Sequence, residues 1–428
     1  MKYTSPRGTK DILPSETGLW QHIEATSRNV FDLYGFHEIR TPIFESTDLF
    51  VRHIGGDTEI VQKEMYTLED KKGRSLTLRP EGTAPVTRAY LQNAMADKPN
   101  HQKLFYMGPM FRYERPQAGR YRQFHQIGVE HFGDASPIAD AEIIAMGIRM
   151  FSQLGLKNLN VRINSVGCPI SRPVIEERIK QFLHTNLHKL PEHIQKKFES
   201  NPMRILDAKD EVVHTYLAGL PDIKDALSQD SKDHFSTVLE YLEQLGIEYT
   251  VDNTLVRGLE YYTETVFEIV SADLGGAQNT LCGGGRYNYL VKDLGGPKTP
   301  AVGFAFGVER AVLLLKDQLK LKQPELDLYI VPMGHPQQLK CFALADELRQ
   351  AGISCQLSTE TKLKNALKNA LKNANKLSAT YTLIIGEEEA EKGVVILKHM
   401  ESGDQEEHPI SNIPQVLKEK TKATNAAH

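Results

Sequence analysis

The chain has 428 residues, 40% hydrophobic and 25% charged, which excludes a wholly disordered, collagen-like or coiled-coil protein and, at roughly 150 residues per domain, predicts about three domains. Lys and Arg number 51 against 55 Asp and Glu, a net charge of -4, so the chain as a whole is not a basic nucleic-acid binder and a polyanion must meet a local patch. Apolar runs such as Ala311 to Leu315 fall far short of the ~18 residues that span a bilayer, and Met1 to Glu16 carries Pro6, Gly8, Asp11 and Pro14 where an export signal needs an apolar core, so a cytoplasmic protein with no membrane contact is expected.

Apolar residues at Trp20, Ile23, Val30, Phe31 and Tyr34 recur at helical spacing up to Gly35, which predicts an amphipathic helix. Phe36 to Glu45 is strand-like but holds Pro42, which restricts it to a sheet edge or an interface. Lys103 to Glu114 and Arg122 to Phe132 read as strands joined by a turn with Pro116 and Gly119, a long antiparallel hairpin. From about Ser171 to Leu245 the chain turns Lys/Glu/Leu-rich at helical spacing, a helical insertion. Strand signals resume at Thr263 to Val270, glycines cluster at Gly275-Gly276 and Gly283-Gly284-Gly285, and Val302 to Leu315 reads as a strand followed by a buried helix. Beyond Lys322-Gln323-Pro324, strands at Leu326 to Val331, Ile353 to Leu357, Tyr381 to Ile385 and Val394 to Leu397 alternate with helices, predicting a small α/β domain with a mostly parallel sheet. The fold class is therefore α/β, with a catalytic-looking part over 1–325 and a second domain over 326–428.

Several segments carry chemistry. Along the second hairpin strand Phe124, Gln126, Gly128 and Glu130 share one face and His125, Ile127, Val129 and His131 the other. The first set reads as a ligand floor: a ring to stack on, acceptors for an NH-bearing ligand, and a glycine that leaves room for it. The same alternation also describes a polar, half-exposed sheet face. The turn and its flanks hold Arg112, Arg115, Arg120 and Arg122 against Glu114, a density that favours phosphate over a solvated loop. Arg257 and Arg310 stand in apolar, glycine-spaced company, where an unpaired cation is costly. Each reads singly as a structural cation, Arg310 beside the carboxylate of Glu309; with the hairpin they read as a phosphate clamp. The four cysteines, Cys168, Cys282, Cys341 and Cys355, are scattered, so neither a disulfide framework nor a resident structural metal is expected.

Arg79-Pro80-Glu81-Gly82-Thr83, Phe111 to Gln117, Arg120 to Gln126, Arg257 to Tyr262 and Gly303 to Arg310 together resemble histidyl-tRNA synthetase, a class II aminoacyl-tRNA synthetase, over nearly the whole chain. The Arg257-Gly258-Leu259-Glu260-Tyr261-Tyr262 segment resembles the histidine-specific signature that other class II synthetases lack, which counters a class II enzyme for another amino acid. The resemblance implies an antiparallel class II sheet flanked by helices, with a C-terminal α/β anticodon-binding domain. It also implies ATP-dependent activation of histidine followed by transfer to the tRNA for histidine, by a homodimer in which Pro42 helps form the interface, with Mg2+ accompanying ATP.

Carried over by position, the resemblance places the α-amino group of histidine at Glu81, Gly82 and Thr83. The α-amino and imidazole groups would be read by Gln126, Glu130 and Tyr262, with Tyr261 beside them. Arg112 would hold the carboxylate and α-phosphate, with Arg257 opposite. Arg120 and Arg310 would take the outer phosphates or ribose side of ATP, with Glu114 in the ATP site, and Phe124 would stack on adenine. Asn288 and Tyr289 follow Gly283-Gly284-Gly285-Arg286-Tyr287 where the family has an aspartate and a glycine. Lys364, Lys368, Lys372 and Lys376 recur every fourth residue beside Leu363, Leu367 and Leu371, a basic stripe on a helix. Composition alone reads it as a solvated face; with the implied anticodon-binding domain it reads as an RNA contact. The competing functional class is the non-catalytic paralogue that regulates ATP phosphoribosyltransferase; that paralogue typically lacks the C-terminal domain and loses clamp arginines, whereas this chain keeps Arg112, Arg120, Arg257 and Arg310.

Overall fold

The computed structural model describes residues 3–426 apart from 56–57, 59, 99–100, 207–210, 218, 221, 274–278, 320–325 and 360–365. Gly275, Gly276 and Lys364 lie outside the described residues. Two units separate along the chain, Met1–Lys320 and Leu321–His428.

The first unit is built on an eight-stranded sheet in the order His37–Glu38, Gln102–Phe111, Gln123–Phe132, Ala301–Gly307, Thr280–Arg286, Thr263–Ser271, Leu159–Ser165, Tyr249–Val251. Only the outermost pair at each end is parallel; every pair between is antiparallel. The short strand at His37–Glu38 takes one edge of this sheet, and the chain after Pro42 joins a separate three-stranded antiparallel sheet through Phe44–Ser46. The expected hairpin is present, with Met110 opposite Phe124 and Leu104 opposite Glu130.

One face of the large sheet is closed by four helices, Pro14–Leu33, Pro137–Gln153, Gln229–Gln244 and Val308–Leu315. Trp20, Ile23, Val30 and Phe31 from the first meet Phe105, Ile127 and Val129 of the hairpin, and Phe151, Val238 and Phe267 continue the same core. Burying a side chain of this kind stabilises by about 1.5–3 kcal/mol. The period-2 alternation that sends Ile127 and Val129 into this core sends Gln126 and Glu130 to the opposite face.

The helical insertion has its own core, with Ile175, Ile179, Leu183, Ile194, Val213, Leu217 and Ile223 buried together. The sequence boundary near Leu245 is not where this core ends. Helix Gln229–Gln244 buries Phe235, Val238 and Leu242 against the main core, so the separately packed part stops near Leu227, and periodicity alone could not say which core an amphipathic face meets.

The second unit has a five-stranded sheet in the order Cys355–Leu357, Leu326–Pro332, Ala379–Ile385, Val394–His399, Gln405–Pro409. The first three strands are parallel and the last two antiparallel, so the sheet is mixed rather than mostly parallel; the exposed strand Gln405–Pro409 is too polar to announce itself. Its helix Ala366–Lys376 buries Ala370 and Ala374 against Tyr329, Val331 and Ala379. Leu367 stays on the surface, so alanines and not the leucine stripe make the packed face. Lys368, Lys372 and Lys376 are exposed. Among the described residues no helix is long and apolar enough to cross a membrane.

Candidate active site

The uncovered face of the large sheet carries a pocket of about 230 Å³. Register explains its shape. Across five strands, Glu268, Gly283, Ala305, Gly128 and Tyr106 stand in one row, and beside it run Gly285, Gly303, Glu130 and Leu104. Small residues in the middle of both rows leave the floor low, while Tyr106, Glu130 and Glu268 rise around it. The glycines are required by these close approaches: a Cβ on Gly128 would run into the Tyr106 ring, one on Gly303 into the Glu130 carboxylate, and one on Gly283 into the Arg257 guanidinium.

Two buried carboxylates occupy one end. Glu81 accepts the backbone N–H groups of Thr83, at 2.7 Å, and Ala84, at 2.9 Å, and so caps the helix Thr83–Gln92. Thr83 Oγ1 donates to Glu130 at 2.7 Å, and the Tyr287 hydroxyl donates to the other Glu130 oxygen. Burial pushes Glu130 up to about 8, against the hydrogen bonds from Tyr287 and Thr83 that favour its charge, with the neighbouring Glu81 adding to the rise. Burial also raises Glu81, opposed by the two backbone donors and by Arg112. Tyr261, Tyr262 and Tyr287 stand together at the same end, with the Tyr261 and Tyr262 ring centroids 4.7 Å apart. A site of this kind suits a ligand that brings NH donors or a positive charge.

The other end is cationic. Arg112 Nε donates to the Pro80 carbonyl at 2.8 Å and its guanidinium lies 5.4 Å from the centre of the Phe124 ring. Glu114 stands between Arg112, at 3.8 Å, and Arg120, at 3.6 Å. Arg310 donates to the Thr280 carbonyl; its burial and the nearby Arg120 lower its pKa, against Glu114 and Glu268, which raise it. Arg257 donates to Glu268 Oε1 at 2.5 Å, and Thr280 Oγ1 donates to Glu268 Oε2 at 2.9 Å. An anion entering between Arg112, Arg257 and Arg310 would meet preorganised donors at little cost in reorganisation.

A family model described as histidyl-tRNA synthetase matches residues 8–311, and one described as an anticodon-binding domain matches residues 327–420. The chain belongs to the histidyl-tRNA synthetase family. It is 46% identical over 422 residues to a histidine–tRNA ligase of Pelotomaculum thermopropionicum, covering 98% of both chains. A histidine–tRNA ligase of Geobacillus thermodenitrificans is likewise 46% identical, with 99% of each chain covered. Among solved structures, apo histidyl-tRNA synthetase of S. aureus superposes with a TM-score of 0.82 at 40% identity, over 97% of this chain and all of that one.

In this family member the structure brings Glu81, Thr83, Arg112, Glu114, Arg120, Phe124, Gln126, Glu130, Arg257, Tyr261, Tyr262 and Arg310 to one pocket. Gly82 adjoins it, and a Cβ there would collide with Tyr106. Lys368, Lys372 and Lys376 lie in the second unit.

Two sequence readings of the site are corrected. The four hairpin arginines are not one cluster. Arg112 and Arg120 line the pocket, whereas Arg115 is exposed and Arg122 stacks 3.8 Å from the centre of the Tyr113 ring. Glu309 is not the partner of Arg310; its carboxylate accepts the His125 backbone N–H at 2.9 Å and faces the His125 ring. Adjacent residues on a helix point about 100° apart, so sequence neighbours are poor candidates for an ion pair. Asn288 supports its loop directly, accepting from Arg286 Nη1 at 3.3 Å and donating its backbone N–H to Thr263 Oγ1 at 3.2 Å.

Tyr106, Tyr287 and Glu268 were not singled out from the sequence. Tyr287 ends the Gly283-Gly284-Gly285-Arg286-Tyr287 run, and Glu268 alternates with the core residues Phe267 and Ile269, where a charged residue in an otherwise apolar strand is itself a signal.

Proposed function

We propose that the chain acts as a histidine–tRNA ligase, activating L-histidine with ATP in the pocket on the open face of its sheet and then passing the histidyl group to the 3'-terminal adenosine of its tRNA. The single observation that carries this reading is the pairing of two kinds of subsite in one pocket: the Glu130–Thr83–Glu81 carboxylate pair at one end and the Arg112, Arg257, Arg310 cations at the other.

Histidine is assigned to the carboxylate end. Glu81, Gly82 and Thr83 take its α-amino group, and Gln126, Glu130, Tyr261 and Tyr262 take the remaining donors and the ring. Its carboxylate then points at the arginines. ATP, entering with Mg2+, stacks its base on Phe124, with Arg112 and Arg257 flanking the α-phosphate and Arg120 and Arg310 on the outer phosphates, Glu114 orienting Arg112 and Arg120.

The chemistry follows from charge. A carboxylate oxygen attacks the α-phosphorus, the bond to the bridging oxygen breaks, and pyrophosphate leaves. Two anions must approach each other, so fixed cations that stabilise the equatorial oxygens lower the barrier and no protein nucleophile is needed. In the second step a terminal ribose hydroxyl attacks the histidyl carbonyl and AMP leaves. The exposed Lys368, Lys372 and Lys376 stripe is assigned to the tRNA backbone, with Lys364 preceding it.

Homodimerisation and a cytoplasmic location complete the proposal. Ile43 and Phe44, just after Pro42, and Leu68 of the same small sheet are large apolar residues left on the surface, which supports a self-association face there. Light scattering tests it. A purely regulatory, histidine-binding role is disfavoured by the retained arginines and by the residues beyond 326.

The deciding experiment is ATP–pyrophosphate exchange with each of the twenty amino acids, with Arg257→Ala as control. Exchange with histidine alone, lost in the variant, supports the reading. Histidine binding without exchange moves the chain to a regulatory role, and exchange with another amino acid refutes the assignment of Glu130 and Tyr262.

A further inference from the structure

The geometry points to a second site: His101, His131 and Asp134 form a three-ligand centre for a divalent transition-metal ion of the zinc class, on the opposite side of the hairpin from the pocket. One ligand atom from each residue lies within 4.8 Å of those from the other two. The hairpin register creates the cluster. Gln102 pairs with Phe132, so the residue before the first strand meets the end of the second strand and the loop after it. Gly133, at φ +102, makes this approach tolerable, since a Cβ there would press within 3.2 Å of the His101 ring. Strand alternation puts His131 on the face away from Gln126 and Glu130, which separates this centre from the catalytic reading.

A second observation points to a ligand. His131 is only 2% exposed, and neither of its ring nitrogens has a hydrogen-bond partner. A buried imidazole normally satisfies at least one nitrogen, because an unmade bond carries the full desolvation penalty. Here the ring packs edge-on against Phe36 and faces His101, with centroids 5.7 Å apart. A metal–nitrogen bond satisfies one of the two.

The remaining ligands suit that role. Asp134 Oδ1 accepts both the backbone N–H of Ser136, at 2.8 Å, and its hydroxyl, at 2.6 Å, which fixes the carboxylate and turns Oδ2 toward His101. His101 Nδ1 lies 3.6 Å from Asp134 Oδ2, near the edge of about 3.4 Å expected for a tetrahedron with bonds of roughly 2.0–2.1 Å. His101 is half exposed, so it is the ligand that turns to close the site, with water in the fourth position. Two imidazoles and one carboxylate select zinc-like ions over magnesium or calcium. Two cations, Lys103 and Arg286, stand near His131, but each is already balanced, Lys103 by Glu142 at 2.7 Å and Arg286 by Asp140. Bound there, an ion would staple the base of the hairpin whose far end carries Arg112 and Phe124.

The test is metal uptake by the full chain, untagged and stripped with EDTA, titrated with Zn2+ by calorimetry and with Co2+ by its visible absorption. The wild-type chain is expected to take up one ion with a tetrahedral Co2+ spectrum and to gain thermal stability. His101→Ala and His131→Leu are each expected to weaken binding by about tenfold or more. His101 is a surface residue away from the pocket, so its variant folds and decides the matter alone if His131→Leu does not. No saturable uptake by the wild-type chain, or unchanged uptake by His101→Ala, overturns the proposal.

Discussion

Arg257 and Glu268 face each other across the floor at 2.5 Å, with the guanidinium lying over Gly283 where any other residue would displace it. Glu268 thus sets where a clamp cation stands while touching no assigned substrate position itself. Glu268→Gln keeps the size and removes the charge. The expected result is a fall in kcat for histidine-dependent pyrophosphate exchange of about 10- to 100-fold, with a smaller change in KM for histidine, since a misplacement of about 1 Å can cost roughly 100-fold. An unaltered kcat would show that Arg257 is placed by something else.

Glu130 makes stability depend on pH. Its folded pKa of about 8 lies above the ordinary value of 4.5, so the folded chain holds a proton that the unfolded chain releases. Its contribution is complete below about pH 4.5 and is lost as pH rises through about 8. Glu130→Gln, which cannot ionise, should therefore gain thermal stability relative to the unliganded wild-type chain as pH rises through that window. Melting curves at several pH values check it; parallel curves would contradict the raised pKa.

Gly128→Ala should leave the fold intact by circular dichroism yet weaken histidine binding about tenfold or more, because the new methyl group meets the Tyr106 ring and overpacking of this kind typically costs about 1–3 kcal/mol. Calorimetric histidine titration reads the effect. Normal affinity would mean that Tyr106 moves aside without disturbing the pocket.

Asp140 and Arg286 are both fully buried and ion-paired, and Arg286 also donates to the Asp134 and Ser136 carbonyls at 2.8 and 3.0 Å. Asp140→Asn leaves a buried guanidinium without its countercharge, so urea unfolding should show a loss of about 3–5 kcal/mol.

Replacing Lys368, Lys372 and Lys376 together by Gln should leave pyrophosphate exchange unchanged while raising KM for tRNA and flattening its salt dependence. An unaltered salt slope in aminoacylation assays would return the stripe to a solvated face.

How much of this was legible beforehand depended on the range of the interaction. The alternation along Gln123 to Phe132 assigned Phe124, Gln126 and Glu130 to one face correctly, because the direction of a strand side chain is set by its own backbone. The helix before Gly35, the hairpin and the strand–helix step at Gly307–Val308 were readable for the same local reason. The resemblance of the arginine and tyrosine segments identified the family, and the family models and relatives support it over nearly the full chain.

What the tertiary structure alone decided is which distant residues meet. Arg122 turns to Tyr113 while Arg112 turns to the pocket, Glu309 serves His125 rather than Arg310, and Glu268 serves Arg257, contacts that depend on how turns, loops and helices are laid against the sheet. The alanine face of the helix Ala366–Lys376 and the core that claims Gln229–Gln244 were likewise settled by what packs opposite them. Local sequence determines the direction in which a side chain leaves the backbone; only sheet register and helix packing determine what it finds there.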